Sequence, residues 1–358
     1  MIGLVNNFAP KTGIGKYSFN LFEKAKNLTE IEMVYLESKD NKIPETKKVK
    51  KVVQSFNLPV FNKSFSWYYF FPLRIPEGYS LYHLSSQYLA RIVEFKSPCI
   101  VTHMDLAPII FPKEYPFITR FLLKKVLPFY KKMEKILTIS ESAKKELIEK
   151  GFADEDKVTA ISLGFDENIF KPINKESARK KLGLPLQRKI ILNVGSEEPR
   201  KNIPCLLSIC SELEKESKET MLIRVGNRNS QYDSQKKKLN IKEFNKIPEE
   251  QLSLFYSAAD LFFFPATYEG GFAYPPLEAM ACGTPTIVGN ELELFGEGAK
   301  VIDVSDYGKL LDSAKKILFD EKEAKKMSIK ALNASKEFTL DKEAKKTVNV
   351  YKEVLGIK

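Results

Sequence analysis

The sequence predicts an α/β protein of two Rossmann-like domains facing each other across a cleft. Three observations lead there. Short apolar runs alternate with amphipathic stretches, the pattern of parallel strands covered by helices on both faces. That pattern occurs twice, with a polar stretch at 168–188 between the two runs, and each run reads as one doubly wound unit. The length, 358 residues, suits two domains with ample core.

The first run holds predicted strands at 2–5, 33–36, 81–84, 100–102, 135–139 and 158–161. The second holds strands at 190–194, 221–225, 261–264, 286–288 and 301–304. Helices are expected at 203–215 and 248–259. The latter places Leu252, Phe255, Tyr256 and Ala259 at helical spacing, with Glu249 and Glu250 in its first turn. The tail, 323–355, reads as two helices rich in Lys and Glu. No internal repeat or low-complexity segment interrupts the chain.

Composition sets outer limits. Hydrophobic residues make up 43% and charged residues 29%, a globular balance. No apolar run approaches the ~18 residues of a membrane span. The first ten residues, MIGLVNNFAP, lack the basic-then-apolar order of a signal peptide. Cys99, Cys205, Cys210 and Cys282 are scattered in apolar surroundings and read as reduced core thiols of a cytoplasmic protein. With His83 and His103 as the two histidines and no Cys-x-x-Cys, a zinc site is not expected. Asp154-Glu-Asp156 has an Asp-x-Asp pattern but reads as a solvated turn. The net charge of +11 is uneven: residues 1–166 carry 25 basic and 18 acidic side chains, residues 167–358 carry 32 and 28. A basic amino-terminal half attracts phosphorylated substrates or an anionic membrane surface. No nucleic-acid motif accompanies the charge, so nucleic acid is not an expected partner.

The most informative segment is 256–288, YSAADLFFFPATYEGGFAYPPLEAMACGTPTIV. Glu269 and Glu278 bracket a turn bearing Gly270 and Gly271. Glu278 lies on a short helix opened by a proline pair and closed by Gly283. A helix start is a place for an anion. Flexible glycine, helix start and flanking carboxylates together suit a phosphorylated polyhydroxyl ligand.

This segment resembles the donor-site motif of the family 4 retaining glycosyltransferases (glycosyltransferase group 1). The family pattern is a Glu, then Gly-Phe-Gly or Gly-Gly-Phe-Gly, an apolar residue, Pro and a second Glu, followed by Ala-Met-Ala-x-Gly-x-Pro. Here Ala273 stands where Gly is commoner, and eight residues separate the two glutamates. The resemblance spans essentially the whole chain and implies the GT-B architecture. The implied domains are 1–166 on the acceptor side and 167–340 binding the nucleotide sugar. A final helix at 341–358 packs back on the first domain. Leu163-Gly-Phe-Asp-Glu-Asn-Ile-Phe-Lys-Pro172 resembles the family's interdomain segment.

Three further motifs fit the same family. Thr12-Gly-Ile-Gly-Lys-Tyr17 follows the first strand and resembles the glycine loop whose last glycine, here Gly15, borders the donor diphosphate. Val194-Gly-Ser-Glu-Glu-Pro-Arg-Lys-Asn202 follows the first strand of the second domain. Lys201 matches the family's cation there, Ser196 replaces its usual Arg, and Arg200 is the candidate second charge. Val101-Thr-His-Met-Asp-Leu-Ala-Pro108 resembles the His-Asp-Leu stretch. It puts His103 beside the donor sugar and acceptor, and leaves Asp105 as either an acceptor-side residue or a turn cap. A fourth feature is a membrane contact. Phe65-Ser-Trp-Tyr-Tyr-Phe-Phe-Pro72 clusters aromatics, and 117–136 mixes Phe121, Leu122, Val126, Leu127 and Tyr130 with Arg120, Lys124, Lys125, Lys131 and Lys132. That stretch is either a core-facing helix with solvated lysines or a helix lying on an anionic bilayer.

The resemblance implies transfer of a hexose, mannose or glucose type, from a nucleoside-diphosphate sugar such as GDP-mannose or a UDP-sugar. The acceptor is a glycan, lipid-linked or other hydroxyl. Glu278 would hold the ribose. Glu269 and the backbone of Gly270, Gly271 and Phe272 would hold the sugar. Lys201, Arg200 and amides near Gly15 and the Ala273–Tyr274–Leu277 turn would meet the diphosphate. No metal or other cofactor is required if protein cations neutralise that charge. A degenerate sugar-nucleotide-binding homologue and a sugar-nucleotide epimerase remain as alternatives. The expected location is cytoplasmic, with peripheral membrane contact as an option.

Overall fold

The computed structural model describes residues 1–37, 48–53, 74–245 and 247–357. The aromatic segment 65–72 lies outside the described residues. The chain forms two compact units, Met1–Gly164 with Leu340–Lys358, and Phe165–Thr339. Each is a parallel sheet covered by helices.

In the first unit, β1 (Ile2–Asn6) leads into α1 (Gly13–Ala25). Then come β2 (Ile31–Glu37), β3 (Val49–Val53), β4 (Leu81–Leu84) and β5 (Cys99–His103). Next are α2 (Phe117–Val126), β6 (Lys135–Thr138), α3 (Glu141–Glu149) and β7 (Val158–Ala160). The seven strands are ordered β3-β2-β1-β4-β5-β6-β7, all pairs parallel. Strand order reverses at β1, so the loops after β1 and β4 diverge at the carboxyl edge. That divergence is where open α/β sheets hold ligands. Helix α1 starts there because Thr12 caps it, accepting from Gly15 N–H at 3.1 Å. It is held down by Tyr17, Leu21, Phe22 and Ala25, all buried.

The second unit runs α4 (Lys175–Leu182), β8 (Lys189–Val194), α5 (Ile203–Glu216), β9 (Thr220–Val225) and β10 (Ile241–Phe244). It continues with α6 (Glu249–Ala258), β11 (Leu261–Phe264), α7 (Tyr274–Ala281), β12 (Thr286–Gly289), β13 (Lys300–Ile302), α8 (Tyr307–Phe319) and α9 (Glu321–Ser335). The six strands are ordered β10-β9-β8-β11-β12-β13, again parallel. Order reverses between β8 and β11. Ile191, Leu222, Leu261, Phe263 and Ile287 meet Leu206, Leu213, Leu310 and Ile317 in the core on one face.

Two strands absent from the sequence reading are β3 and β10, and each is the edge of its sheet. Their sequences, VKKVV and IKEF, are short apolar runs broken by charged residues. Charge on an edge strand blunts pairing with other chains and hides the apolar run. Among the described residues no helix is long and apolar enough to cross a membrane.

The last helix, α10 (Leu340–Leu355), belongs to the first unit and packs against α1. A buried polar chain ties it down. Tyr351 Oη lies 2.6 Å from His83 Nδ1, His83 Nε2 lies 2.7 Å from Thr102 Oγ1, and Thr102 Oγ1 lies 2.8 Å from Tyr17 Oη. Burial pushes His83 down to about 3, so the imidazole is neutral. Glu343 is also on this helix, 2% exposed. Its Oε2 accepts from Gly164 N–H at 2.6 Å, and its Oε1 has no partner among the described residues. Burial pushes its carboxyl from 4.5 up to about 8, against the pull of the Gly164 amide. Between those values the folded chain keeps a proton that the unfolded chain releases. The stability this group contributes is complete below 4.5 and is lost as pH rises through about 8. Glu343→Gln keeps an acceptor for Gly164 and cannot ionise. Denaturant titrations from pH 4.5 to 8 should show the wild type losing stability relative to this variant. Parallel profiles would contradict the assignment.

Candidate active site

The loops after β8 and β11, on either side of the order reversal, carry the second unit's site residues. They are joined at the backbone: Thr267 N–H donates to the Arg200 carbonyl at 2.8 Å. This registers Arg200 and Lys201 against Glu269. Arg200 Nη1 donates to Glu269 Oε1 at 2.9 Å, and Lys201 Nζ bonds the same oxygen. All three side chains are mostly buried, at 16%, 13% and 11% exposure. Lys201 Nζ also lies 5.4 Å from the centre of the Phe264 ring. Two cations and one carboxylate leave this cluster with an excess positive charge.

The chain then turns through Gly270 and Gly271, at φ 62° and 73°. Two consecutive left-handed residues suit glycine alone, which accommodates the extra residue between the glutamates. Gly271 N–H donates to Glu291 Oε1 at 2.5 Å. Phe272 and Leu277 are 4% and 0% exposed, so their side chains belong to the core and their backbone alone is available to a ligand. Phe272 meets Tyr274 edge-on at 5.5 Å and Phe295 at 5.7 Å. Ala273 is the N-cap of α7 and makes no side-chain cap bond. The start of α7 is poorer in amides than expected. Pro275 and Pro276 have no N–H, so Tyr274 is the one donor among its first three residues. Glu278 is 3% exposed and accepts from Tyr256 Oη at 2.8 Å. Burial and the neighbouring carboxylate push the Tyr256 phenol up, so it stays a donor.

The first unit places Gly15 and His103 at the carboxyl edge of its sheet. A Cβ on Gly15 would collide with the Ala9 carbonyl, so the loop closes around glycine. The Gly15 amide is occupied by Thr12 and does not face a ligand. His103, the last residue of β5, is fully buried. Its Nδ1 lies 2.9 Å from Tyr130 Oη, and its Nε2 has no partner among the described residues. Burial pushes it down to about 3, so it acts as a neutral imidazole. Asp105 Oδ1 accepts from Ala107 N–H at 2.8 Å, a turn cap. Gln87 clamps the same loop, accepting from Met104 N–H at 3.1 Å. Asp154 and Asp156 are exposed, beside and in a 3₁₀ turn.

Residues 174–334 match the family model "Glycosyl transferases group 1". This chain carries a group 1 glycosyltransferase domain. Over 376 residues it is 27% identical to O-antigen chain mannosyltransferase B of Escherichia coli, covering 96% of each chain. The fold is similar to sucrose-phosphate synthase of Thermosynechococcus elongatus, with a TM-score of 0.82, 19% identity and 99% of each chain covered. It is also similar to the Anabaena protein HepE in complex with UDP-glucose, with a TM-score of 0.74, 15% identity, 98% of this chain and 99% of that chain covered. The two parallel-sheet α/β units are those of the GT-B glycosyltransferases.

Three carboxylates and a phenol of this glycosyltransferase had no separate signal in its sequence roles. Tyr256 reads as a core residue of α6, and Glu291 lies outside every motif of the sequence. Glu197 lies in the stretch after β8 without a role of its own there. It proves to be 4% exposed and central. Its Oε1 accepts from Arg224 Nη2 at 3.2 Å and Lys236 Nζ at 2.7 Å, and its Oε2 accepts from Asn229 N–H at 2.7 Å. Arg224 also donates to the Gly195 carbonyl at 2.9 Å and to Asn193. Arg224 is thus fully engaged inside the fold beside Ser196. Glu243, 2.7 Å from Lys236, is the fourth member. Glu197→Ala would leave two buried cations short of a partner. It should cost about 3–5 kcal/mol of unfolding free energy, measured by urea denaturation. A loss within experimental error would show the network to be solvated.

Proposed function

We propose that this glycosyltransferase moves a hexose, mannose first among candidates, from a nucleoside-diphosphate sugar to a hydroxyl of a glycan or lipid-linked acceptor, with retention of configuration. The observation that carries this is the Arg200–Lys201–Glu269 cluster at the order reversal of the second sheet. It combines cations for a diphosphate with a carboxylate for sugar hydroxyls. Mannose is favoured by the mannosyltransferase named among the relatives, and a nucleotide sugar by the UDP-glucose bound to HepE.

In this proposal the bond from the anomeric carbon to the β-phosphate oxygen breaks, and its electron pair leaves with the phosphate. Arg200 and Lys201 stabilise that charge, a task the amide-poor start of α7 performs weakly. The acceptor oxygen bonds to the anomeric carbon from the same face, and its proton passes to the departing phosphate. Glu269 and the backbone of Gly270, Gly271, Phe272 and Ala273 orient the sugar. Glu278, held by Tyr256, takes the ribose hydroxyls. His103 offers Nε2 to a sugar hydroxyl as a neutral partner, and Gly15 shapes the loop beside it. Charge neutralisation rests on protein cations, so no metal is invoked.

Donor binding is the first test. A nucleotide sugar at ~100 times its Kd should stabilise the fold by roughly 2.7 kcal/mol, an effect lost in Glu278→Ala. Lys201→Ala should lower kcat/KM by about 10²–10³-fold. Binding without transfer or hydrolysis would instead favour the degenerate homologue, against which the intact Glu269, Glu278 and Lys201 argue. An altered sugar on recovered nucleotide would favour the epimerase.

The same proposal includes a peripheral membrane contact through α2. This helix buries Leu122, Leu123 and Val126, while Phe117 is 71% exposed. Phe117 stacks on Phe121, and Arg120 and Lys125 lie 5.6 Å from those two rings. An exposed ring stacked on a half-buried one and flanked by cations suits an anionic surface. The chain should sediment with phosphatidylglycerol vesicles, release at high salt, and ignore phosphatidylcholine vesicles. Equal behaviour toward both lipids would remove this contact.

A further inference from the structure

The second unit has a concave site on the edge of its sheet opposite the Arg200–Lys201–Glu269 cluster. A cavity of about 550 Å³ opens where three strands begin. Lys189 is the first residue of β8, while Asp260 and Pro285 immediately precede β11 and β12. The loops with Lys201 and Glu269 follow the far ends of these strands. The six residues of β8 separate the two edges by about 20 Å, at ~3.3 Å per residue. This cavity is therefore no extension of the candidate active site.

Its charges divide into two sets. Lys175 and Arg179 both engage Asp260, at 2.8 and 2.6 Å. Arg179 also donates to the carbonyls of Ala258, Leu186 and Arg188, so it is part of the frame. Arg188, Lys189 and Lys325 form the second set. Among the described residues none of these three has a carboxylate within ion-pair distance. Glu321 is the remaining acid on the wall, so the five basic side chains exceed Asp260 and Glu321 by three positive charges. Ile173, Leu318 and Leu332 supply an apolar lining. A concavity with low-dielectric walls concentrates such a potential. The volume falls within the ~300–1,000 Å³ of small-molecule sites.

We propose that this cavity binds a small polyanion with phosphate-type charges, such as a phosphorylated metabolite, at a site separate from the donor's. Arg188, Lys189 and Lys325 meet the charges, and the apolar lining takes the body of the ligand. A ligand bearing several phosphate charges can balance an excess of this size, whereas a single carboxylate cannot.

Calorimetric titration with inorganic pyrophosphate tests this on the full chain. Lys201→Ala should retain a binding site that Arg188→Glu with Lys325→Glu weakens at least about tenfold. Both changed side chains are partly or fully exposed, and the thermal midpoint checks the fold. Should that double variant not fold, Lys325→Gln on the exposed face of α9 replaces it. Pyrophosphate binding that vanishes in Lys201→Ala, or that the cavity variants leave unchanged, overturns the proposal. If Lys201→Ala affects no binding at all, the donor-site proposal fails while the cavity result stands.

Discussion

The buried carboxylate of Glu197 is the interaction on which the geometry of the second unit depends. It sits in the loop after β8 and meets Arg224 from β9, Lys236 from the helical turn beyond β9, and the backbone at Asn229. Each of those cations would be costly to bury alone. Together they fix the start of a glycine-containing loop whose regular structure is a single 3₁₀ turn, Pro199–Lys201. Arg224 binds the Gly195 carbonyl, so the loop's first residue is anchored as well. The outcome appears a few residues on, where Arg200 and Lys201 converge on one oxygen of Glu269. A salt-bridge network inside the fold thus orders a second one at its edge.

The two networks differ in what a ligand can do to them. The Glu197 network is nearly inaccessible, with side-chain exposures of 1% to 3% for Glu197, Arg224 and Lys236. It serves as frame. The Glu269 cluster is several-fold more exposed, and its cations exceed its carboxylates. An incoming diphosphate can take over part of the pairing that Glu269 supplies, which leaves that carboxylate able to accept from sugar hydroxyls. The proline pair at the head of α7 sharpens the need for these cations, because it removes two of the amides that a helix start usually offers. The Gly270–Gly271 turn, held by Glu291, is a further local solution. Both glycines of that turn are in left-handed backbone.

Parallel sheets buried on both faces made the inner strands legible in the sequence. Strands β1, β4, β8 and β11 are near-continuous apolar runs, and α6 shows its Leu252, Phe255 and Tyr256 at helical spacing. The edge strands β3 and β10 were illegible because they pair on one side and carry Lys and Glu. The start of α7 was misjudged from the helix rule alone, since proline suits that position and silences it as a donor.

What the sequence by itself determined is therefore the local chemistry: two strand–helix runs, a glycine turn between Glu269 and Glu278, and cations after β8. Its apolar periodicity suffices for that, because burial on one or both faces is written in neighbouring residues. Tertiary structure alone decided the partners. Lys201 meets Glu269 from 68 positions away, Arg224 turns inward to Glu197, and Tyr351 reaches His83 across 268 positions. Such contacts depend on where a sheet's strand order reverses and which side chains share a buried volume. No spacing along the chain carries that information.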